Sequence, residues 1–462
     1  MHNTDFSSLK LSKALLKNIA DLGYEKMTPI QAQSLPAILE HQDIIAQGQT
    51  GSGKTAAFGL GILSRLKVSR YRTQALVLCP TRELAEQVST AIRKLARATH
   101  NVKVVTVTGG MSFGRQVGSL EFGTHIIVGT PGRVADHLRK GTMKIDELKM
   151  LVLDEADRML EMGFQETLDE IIEYTPVQRQ TLLFSATYPK AIEEIAEQVT
   201  TDPILVQAAE VEAKSTIKQE FYKVRHNHDD RLEAVQLLLQ KHRPESAVIF
   251  CNTKADVRDV ALDLKHAGFS SIALHGDLEQ IERDQALTRF ANKSISVLVA
   301  TDVAARGLDV EALDLVINYH VTRDFEVHVH RIGRTGRAGN HGVACSIYSE
   351  KESHKVSQLE KYLGEDIETS KLPDRELLKN SPVRAKMVTI QVDTGKRQKL
   401  RPGNLLGALT GKHGIPGTEV GKIQVYDNWS YVAVSRTHLL EALEKLGGET
   451  WKNRSFRIKQ LR

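Results

Sequence analysis

Cysteine is scarce. The 462 residues hold three, Cys79, Cys251 and Cys345, odd in number and far apart. None belongs to a CxxC pair, so neither a disulfide framework nor a zinc site is expected. Each thiol reads as a small buried side chain in a reducing compartment. Long apolar runs are missing too. Stretches such as Met150–Leu153 are far too short to span a bilayer. The opening residues Met1-His2-Asn3-Thr4-Asp5 lack a basic segment followed by an apolar one, so no signal peptide is expected. A soluble, cytoplasmic chain without a membrane partner is the expectation.

What remains has the balance of a globular protein, 41% hydrophobic and 26% charged. The length exceeds what one hydrophobic core organises, so two or three domains are expected. The formal net charge of +5 is unevenly spread: residues 383–462 carry +9 and the rest −4. A basic terminal module on a near-neutral body fits a polyanionic partner, nucleic acid first; a basic face serving only solubility is the plainer alternative.

Residues 1–208 repeat a short apolar run, a polar cluster and a helical stretch. The runs are Asp43–Ala46, Ala75–Cys79, Val102–Val107, Ile126–Val128, Leu151–Leu153 and Thr181–Phe184. Such runs alternating with helices predict parallel strands buried on both faces. The pattern restarts at Ala247–Phe250 and continues through Ile272–Leu274, Val297–Val299, Leu315–Ile317 and Val343–Ile347. Two similar α/β lobes are therefore predicted, 1–208 and 217–371, with 209–216 as a linker. A second linker is placed at 372–382, between Pro373 and Pro382. Residues 383–462 then read βαββαβ, a small split βαβ sandwich.

Chemistry concentrates first at Gly48-Gln49-Thr50-Gly51-Ser52-Gly53-Lys54-Thr55, between a strand and a helical stretch. Backbone N–H groups of Gln49 to Gly53 can turn around phosphate oxygens, and a helix N-terminus adds positive partial charge. Lys54 reaches the β- and γ-phosphates and the Thr55 hydroxyl can ligate magnesium. Asp154-Glu155-Ala156-Asp157 ends an apolar strand, where open α/β sheets present their ligand crevice. Asp154 can hold Mg2+, and Glu155 can orient or deprotonate the attacking water. These two sites together predict hydrolysis of a nucleoside triphosphate. Gln31 offers one donor and one acceptor, matching adenine N6 and N7, whereas guanine presents two acceptors on that edge. Phe6 or Tyr24 could stack on the base, and each fits a core position equally well.

The run of motifs resembles the DEAD-box RNA helicases over residues 6–349. Besides the strings above it includes Pro80-Thr81-Arg82-Glu83-Leu84-Ala85, Gly109-Gly110, Thr130-Pro131-Gly132-Arg133 and Ser185-Ala186-Thr187. The second half adds Gln280-Ile281-Glu282-Arg283, the stretch Ala300 to Asp309, and His330-Arg331-Ile332-Gly333-Arg334-Thr335-Gly336-Arg337. The resemblance implies two tandem RecA-like lobes that close when ATP and RNA are both bound. It implies RNA backbone contacts from Arg82, Gly110, Thr130 and Arg133, and from Gln280, Arg283 and Thr301. Ser185 and Thr187 would link the magnesium site, through Asp157, to closure. Arg334 and Arg337 would be arginine fingers, a role worth ~10³-fold or more in rate. Gly307 and Asp309 would bind the nucleotide, Asp309 at the ribose. One departure is Met27, where the family usually has proline; a looser turn is expected there.

The last module resembles an RRM-like, α+β RNA-binding domain of one bacterial branch of that family. That implies a monomeric helicase anchored on 23S ribosomal RNA, acting on large-subunit precursors. Alternation along Trp429–Val434 points Val432 and Val434 inward and leaves Trp429 and Tyr431 on the opposite face, a candidate base-stacking surface. The fuller aromatic pattern of such sheets is missing. Lys396, Arg397, Lys399 and Arg401 crowd one short loop, which phosphates would relieve. An ATP-gated RNA clamp without productive unwinding, or a DNA helicase, are the competing readings.

Overall fold

The computed structural model describes residues 4–48, 51–188, 190–207, 217–305, 313–336, 342–448 and 456–461. The chain divides into two compact units, Met1–Val211 and Glu212–Arg462. No described helix is long and apolar enough to cross a membrane.

The first unit is built on seven strands: β1 (Ile44–Gln47), β2 (Ala75–Leu78), β3 (Val104–Val107), β4 (Ile126–Gly129), β5 (Met150–Asp154), β6 (Gln180–Ser185) and β7 (Ile204–Gln207). All pair in parallel, in the order β3-β4-β2-β5-β6-β1-β7. β2, β4, β5 and β6 are buried throughout, as the continuous apolar runs require. Two hydrophobic cores result, one on each face of the sheet.

The second unit repeats the plan. Its strands are β8 (Ile217–Val224), β9 (Ala247–Phe250), β10 (Ser271–Leu274), β11 (Val297–Ala300), β12 (Leu315–Asn318), β13 (Gly342–Ser349) and β14 (Thr369–Ser370). Their order, β10-β11-β9-β12-β13-β8-β14, is the first lobe's permutation repeated strand for strand. Three strands lie outside the predicted runs. β8 (IKQEFYKV) interleaves charges, β7 is an exposed edge strand, and β14 has two residues. β8 and β14 offer no continuous apolar run, and the short run Ile204-Leu205-Val206 of β7 is not among those predicted.

The same unit ends in a four-stranded antiparallel sheet. Its strands are β15 (Met387–Val392), β16 (Val420–Val425), β17 (Ser430–Ser435) and β18 (Ile458–Gln460), ordered β16-β17-β15-β18. Helices Pro402–Thr410 and Leu439–Gly448 complete the predicted βαββαβ series. Ile390, Val392, Val432 and Val434 pack with Leu405, Leu409, Ala442 and Leu446 into one core.

Two connectors were expected. All of 209–216 lies outside the described residues. The segment 372–382 is tethered rather than loose. It forms a turn at Arg375–Lys379, Arg375 pairs with Glu233 at 2.7 Å, and Gln240 Nε2 donates to the Asn380 carbonyl at 2.8 Å.

Candidate active site and nucleic-acid surface

The order β5-β6-β1 sets three motif-bearing strand ends side by side. β1 runs into the glycine-rich loop, β5 ends on Asp154, and β6 ends on Ser185. The loop leads directly into helix Lys54–Arg65, whose N-cap is Gly53 at φ +96°. A Cβ there would lie 2.4 Å from Gln31 Nε2, so glycine is required by conformation and by space alike. Lys54 Nζ donates to the Gly48 carbonyl at 2.9 Å, turned into the loop's own concavity. Gln49 and Thr50 lie outside the described residues.

Gln31 is buried and spans the loop. Its Nε2 donates to the Gly53 carbonyl at 3.0 Å, and its Oε1 accepts the Thr28 N–H at 2.9 Å. One N–H and one lone pair of the amide remain for a base edge. Thr28 Oγ1 donates to the Ser52 carbonyl at 2.7 Å, a second clamp. Phe6 belongs to the lobe's hydrophobic core, and Tyr24, 38% exposed, meets it edge-on at 6.2 Å. Of the two aromatics, Tyr24 is the one with an open surface. The looser turn expected at Met27 is not found. Its N–H donates to the Thr4 carbonyl at 2.7 Å, a bond proline could not make.

Asp154 is buried and its Oδ1 has no hydrogen-bond partner among the described residues. Burial pushes its carboxyl up to about 7; Lys54 opposes that shift, while Glu155 and Asp157 add to it. A buried, uncompensated carboxylate oxygen beside a phosphate-type loop is what a hard divalent cation would satisfy. Glu155 follows in left-handed conformation at φ +54°, unusual for a residue with a side chain. Such strain persists only where surrounding structure imposes it.

Asp157 joins the motifs. Its Oδ2 accepts the N–H groups of Ala186 and Thr187 at 3.1 and 3.0 Å and the Thr187 hydroxyl at 3.2 Å. Oδ1 accepts the Arg158 N–H at 3.0 Å. Ser185 Oγ donates to the Thr187 carbonyl at 2.6 Å, and the Ser185 carbonyl accepts the Gly48 N–H at 2.9 Å. The acidic turn, the Ser-Ala-Thr turn and the glycine-rich loop thus form one hydrogen-bonded chain.

Arg82, Gly110, Thr130 and Arg133 follow β2, β3 and β4, at the same edge of the sheet. The Arg82 guanidinium packs over Gly109, where a Cβ would meet it at 2.9 Å. Gly110 adopts φ +75°, and Thr130 caps helix Pro131–Arg139. Arg133 is held by the Met111 carbonyl and Gln116 Oε1, both at 2.9 Å. In the second unit, Gln280 opens helix Gln280–Ala291, which also carries Arg283, and Thr301 follows β11. Arg334 is half-buried at the turn after helix Phe325–Ile332. Gly307, Asp309 and Arg337 lie outside the described residues.

Sequence reasoning assigned no role to Arg331 or Asp302, though both sit inside quoted motifs. Arg331 is 2% exposed. It binds both Asp302 oxygens, Nε at 2.6 Å and Nη2 at 2.7 Å, and also reaches Asn252, Asn318 and the His320 carbonyl. This fork ties β11, β9 and β12 to helix Phe325–Ile332, the helix that leads into Arg334.

The stacking surface requires a correction. Alternation is as expected, with Val432 and Val434 in the core and Tyr431 opposite, yet that opposite face is not open. Tyr431 is fully buried, with Gln285 beside its ring hydroxyl, and burial raises the phenol to about 12. The face lies on helix Gln280–Ala291 and the turn after it: Ser294 Oγ meets Thr389 Oγ1 at 2.5 Å and Thr288 Oγ1 meets the Tyr426 hydroxyl at 3.2 Å. Trp429 is half-buried beside Tyr426. By contrast Lys396, Arg397, Lys399 and Arg401 are all exposed, with no ion pair among the described residues. Their loop is fixed, because the Lys396 and Arg397 N–H groups donate to the Tyr426 and Asp427 carbonyls at 2.8 and 3.0 Å.

Three family descriptions match successive parts of the chain: DEAD/DEAH box helicase over 28–195, helicase conserved C-terminal domain over 230–339, and DbpA RNA binding domain over 389–460. The chain is 48% identical over 460 residues to the ATP-dependent RNA helicase DbpA of Escherichia coli, covering 99% of this chain and 100% of that one. Identity to the Bacillus subtilis protein of the same name is 35% over 475 residues, covering 98% of both. Among solved structures, Saccharomyces cerevisiae Dbp5 bound to RNA and ADP BeF3 is similar with a TM-score of 0.72 at 32% identity, covering 81% of this chain and 99% of that one. Mss116p bound to single-stranded RNA and AMP-PNP gives 0.73 at 27% identity, covering 81% of each.

Proposed function

We propose, from the premise that this chain belongs to the DEAD-box ATP-dependent RNA helicases and carries their DbpA-type RNA-binding domain, that it opens short duplexes next to an anchor site on 23S ribosomal RNA during large-subunit assembly. It is an ATP-hydrolysing RNA helicase. The anchor and the assembly step are the finer reading. The observation that carries it is the loop 396–401, where four cations stand exposed on a backbone pinned to the adjoining hairpin turn. A rigid basic loop suits a folded RNA whose phosphates are themselves fixed, since little ordering entropy is lost on binding. Phosphate contacts of this kind position the enzyme, and the duplex it opens need carry no particular sequence.

In this reading Gly48 to Gly53 cradle the phosphates and Lys54 exchanges the Gly48 carbonyl for a phosphate oxygen. Gln31 senses the adenine with its remaining N–H and lone pair. Thr55 and Asp154 would hold Mg2+, which neutralises phosphate charge during transfer. Glu155, preset by its left-handed backbone, holds and deprotonates the attacking water. Asp157 passes the occupancy of this site to Thr187. Arg334 and Arg337 are brought to the γ-phosphate when RNA binds, so hydrolysis waits for RNA.

The test uses the full chain with Lys396, Arg397, Lys399 and Arg401 all changed to Glu. ATP turnover driven by a saturating non-specific RNA should remain, while preference for a 23S fragment over random RNA disappears. The slope of log affinity against log salt should also become shallower by about 0.7–0.9 for each phosphate that the loop no longer neutralises. Undiminished discrimination would refute the anchoring role of this loop.

A further inference from the structure

Cysteine spacing argued against a zinc site, but strand pairing brings three dissimilar residues together. Glu220 on β8 and Cys345 on β13 are direct register partners, so their side chains share a face of the second sheet. His242, the last residue of helix His228–His242, reaches the same face. Glu220 Oε2 lies 3.6 Å from His242 Nε2 and 3.9 Å from Cys345 Sγ, and the sulfur lies 4.0 Å from the imidazole nitrogen. This is the one group of three metal-ligating side chains found among the described residues.

We propose that Glu220, His242 and Cys345 form a site for Zn2+, with water in the fourth position. Tetrahedral zinc with S, N and O ligands sets its ligand atoms about 3.3–3.6 Å apart, from bond lengths of about 2.0–2.3 Å. The triangle here needs to contract by only a few tenths of an ångström. The donor set selects the metal. A thiolate, an imidazole and one carboxylate oxygen suit a borderline-soft ion, whereas Mg2+ takes oxygen ligands and would not compete.

The contacts around Glu220 support this. Glu220 Oε2 accepts from Lys241 Nζ at 3.0 Å and from the Tyr222 hydroxyl at 2.5 Å, while Lys218 binds Oε1 at 2.7 Å. The Lys241 ammonium stands as the cation beside the three ligand atoms. Its side chain is 37% exposed, so it can swing into solvent when a metal replaces it, and Lys218 can keep the other oxygen. On binding, the thiol proton of Cys345 leaves to solvent, the sulfur–zinc bond forms, and no oxidation state changes. The ion would fasten β8, β13 and the end of helix His228–His242 together. β8 is the first strand of the second lobe, so zinc would stiffen the point where that lobe begins.

The test adds Co2+ to the full-length protein in magnesium buffer and follows the near-ultraviolet thiolate-to-cobalt band. A band that Zn2+ abolishes, together with a zinc-dependent rise in melting temperature, is expected. Cys345→Ala should remove both. Should that variant fold poorly, His242→Ala at the half-buried edge must weaken Zn2+ binding by more than about ten-fold, since even changes behind the ligands cost that much. Lys241→Met should tighten binding, because it deletes the competing ammonium. A cobalt band that is missing from the wild type, or that persists in Cys345→Ala, overturns the proposal; so does weaker zinc binding in Lys241→Met.

Discussion

The Arg331–Asp302 fork makes a sharp quantitative claim. Replacing Arg331 with Met keeps most of the side-chain volume but strands Asp302, Asn252, Asn318 and the His320 carbonyl, each of which accepts from the guanidinium. Removing one partner of a buried ion pair costs about 3–5 kcal/mol. Asp302 is 26% exposed on its side chain and can partly rehydrate, so the lower end applies, about 3 kcal/mol. The unit concerned runs from Glu212 to Arg462, and for 150–250 residues each kcal/mol shifts the melting temperature by about 2–4 °C. The expected drop is therefore about 6–12 °C. Calorimetry of the full chain would measure it. Tryptophan fluorescence would assign the transition, because Trp429 and Trp451 both fall within that unit. The double variant Arg331→Met, Asp302→Leu should recover the part of the loss that comes from the stranded Asp302 charge, while Asn252, Asn318 and the His320 carbonyl stay unpaired. If the two substitutions prove additive within about 0.5 kcal/mol, the fork is not a coupled pair and the reasoning fails.

Gly53→Ala should weaken nucleotide binding by roughly 5–30-fold, from about 1–2 kcal/mol of left-handed strain in the loop's cap; a fluorescent ADP analogue would read it, and unchanged affinity would show that the cap relaxes freely. Glu155→Gln should bind ATP normally yet lose nearly all turnover, measured by steady-state phosphate release with RNA; retained turnover would remove Glu155 from the base role. Thr389→Arg places a large side chain where Thr389 is fully buried against Ser294, and overpacking of about 1–3 kcal/mol should release the last module from helix Gln280–Ala291. Trp429 emission should then shift to the red while the module stays folded; an unshifted spectrum counts against the docking. His137 is buried between Gln116 and Thr142, and burial with Arg133 nearby lowers its imidazole to about 4. Between about 6.5 and 4 the unfolded chain binds a proton that the folded chain refuses, so stability should fall as pH drops through that window. His137→Gln should show a flatter melting profile over the same range, and identical profiles would contradict the assignment.

Much of the fold was legible because a strand buried on both faces must be apolar throughout. Ala247–Phe250 and Met387–Val392 match the expected bounds residue for residue. β8 escaped because Lys218, Glu220 and Lys223 break its run, though its eight residues pair with β13 along their whole length. The phosphate loop and the acidic strand end were equally readable, since both are short local segments whose residue types follow from their chemistry. The family resemblance already ties Asp157 to Thr187, and the adjacency of β5 and β6 supplies the contact across thirty positions.

The sequence by itself determined the two α/β lobes, the ATP chemistry and the basic terminal module, because these rest on local periodicity, contiguous motifs and net charge. Only the tertiary structure decided what distant residues do to one another. It covered the predicted stacking face of Tyr431 with a helix from the neighbouring lobe, leaving the cations of 396–401 as the open surface. It closed Arg331 on Asp302. It also set Cys345 against Glu220 and His242, a grouping that no spacing rule could find, because strand register and not chain position determines which side chains share a face.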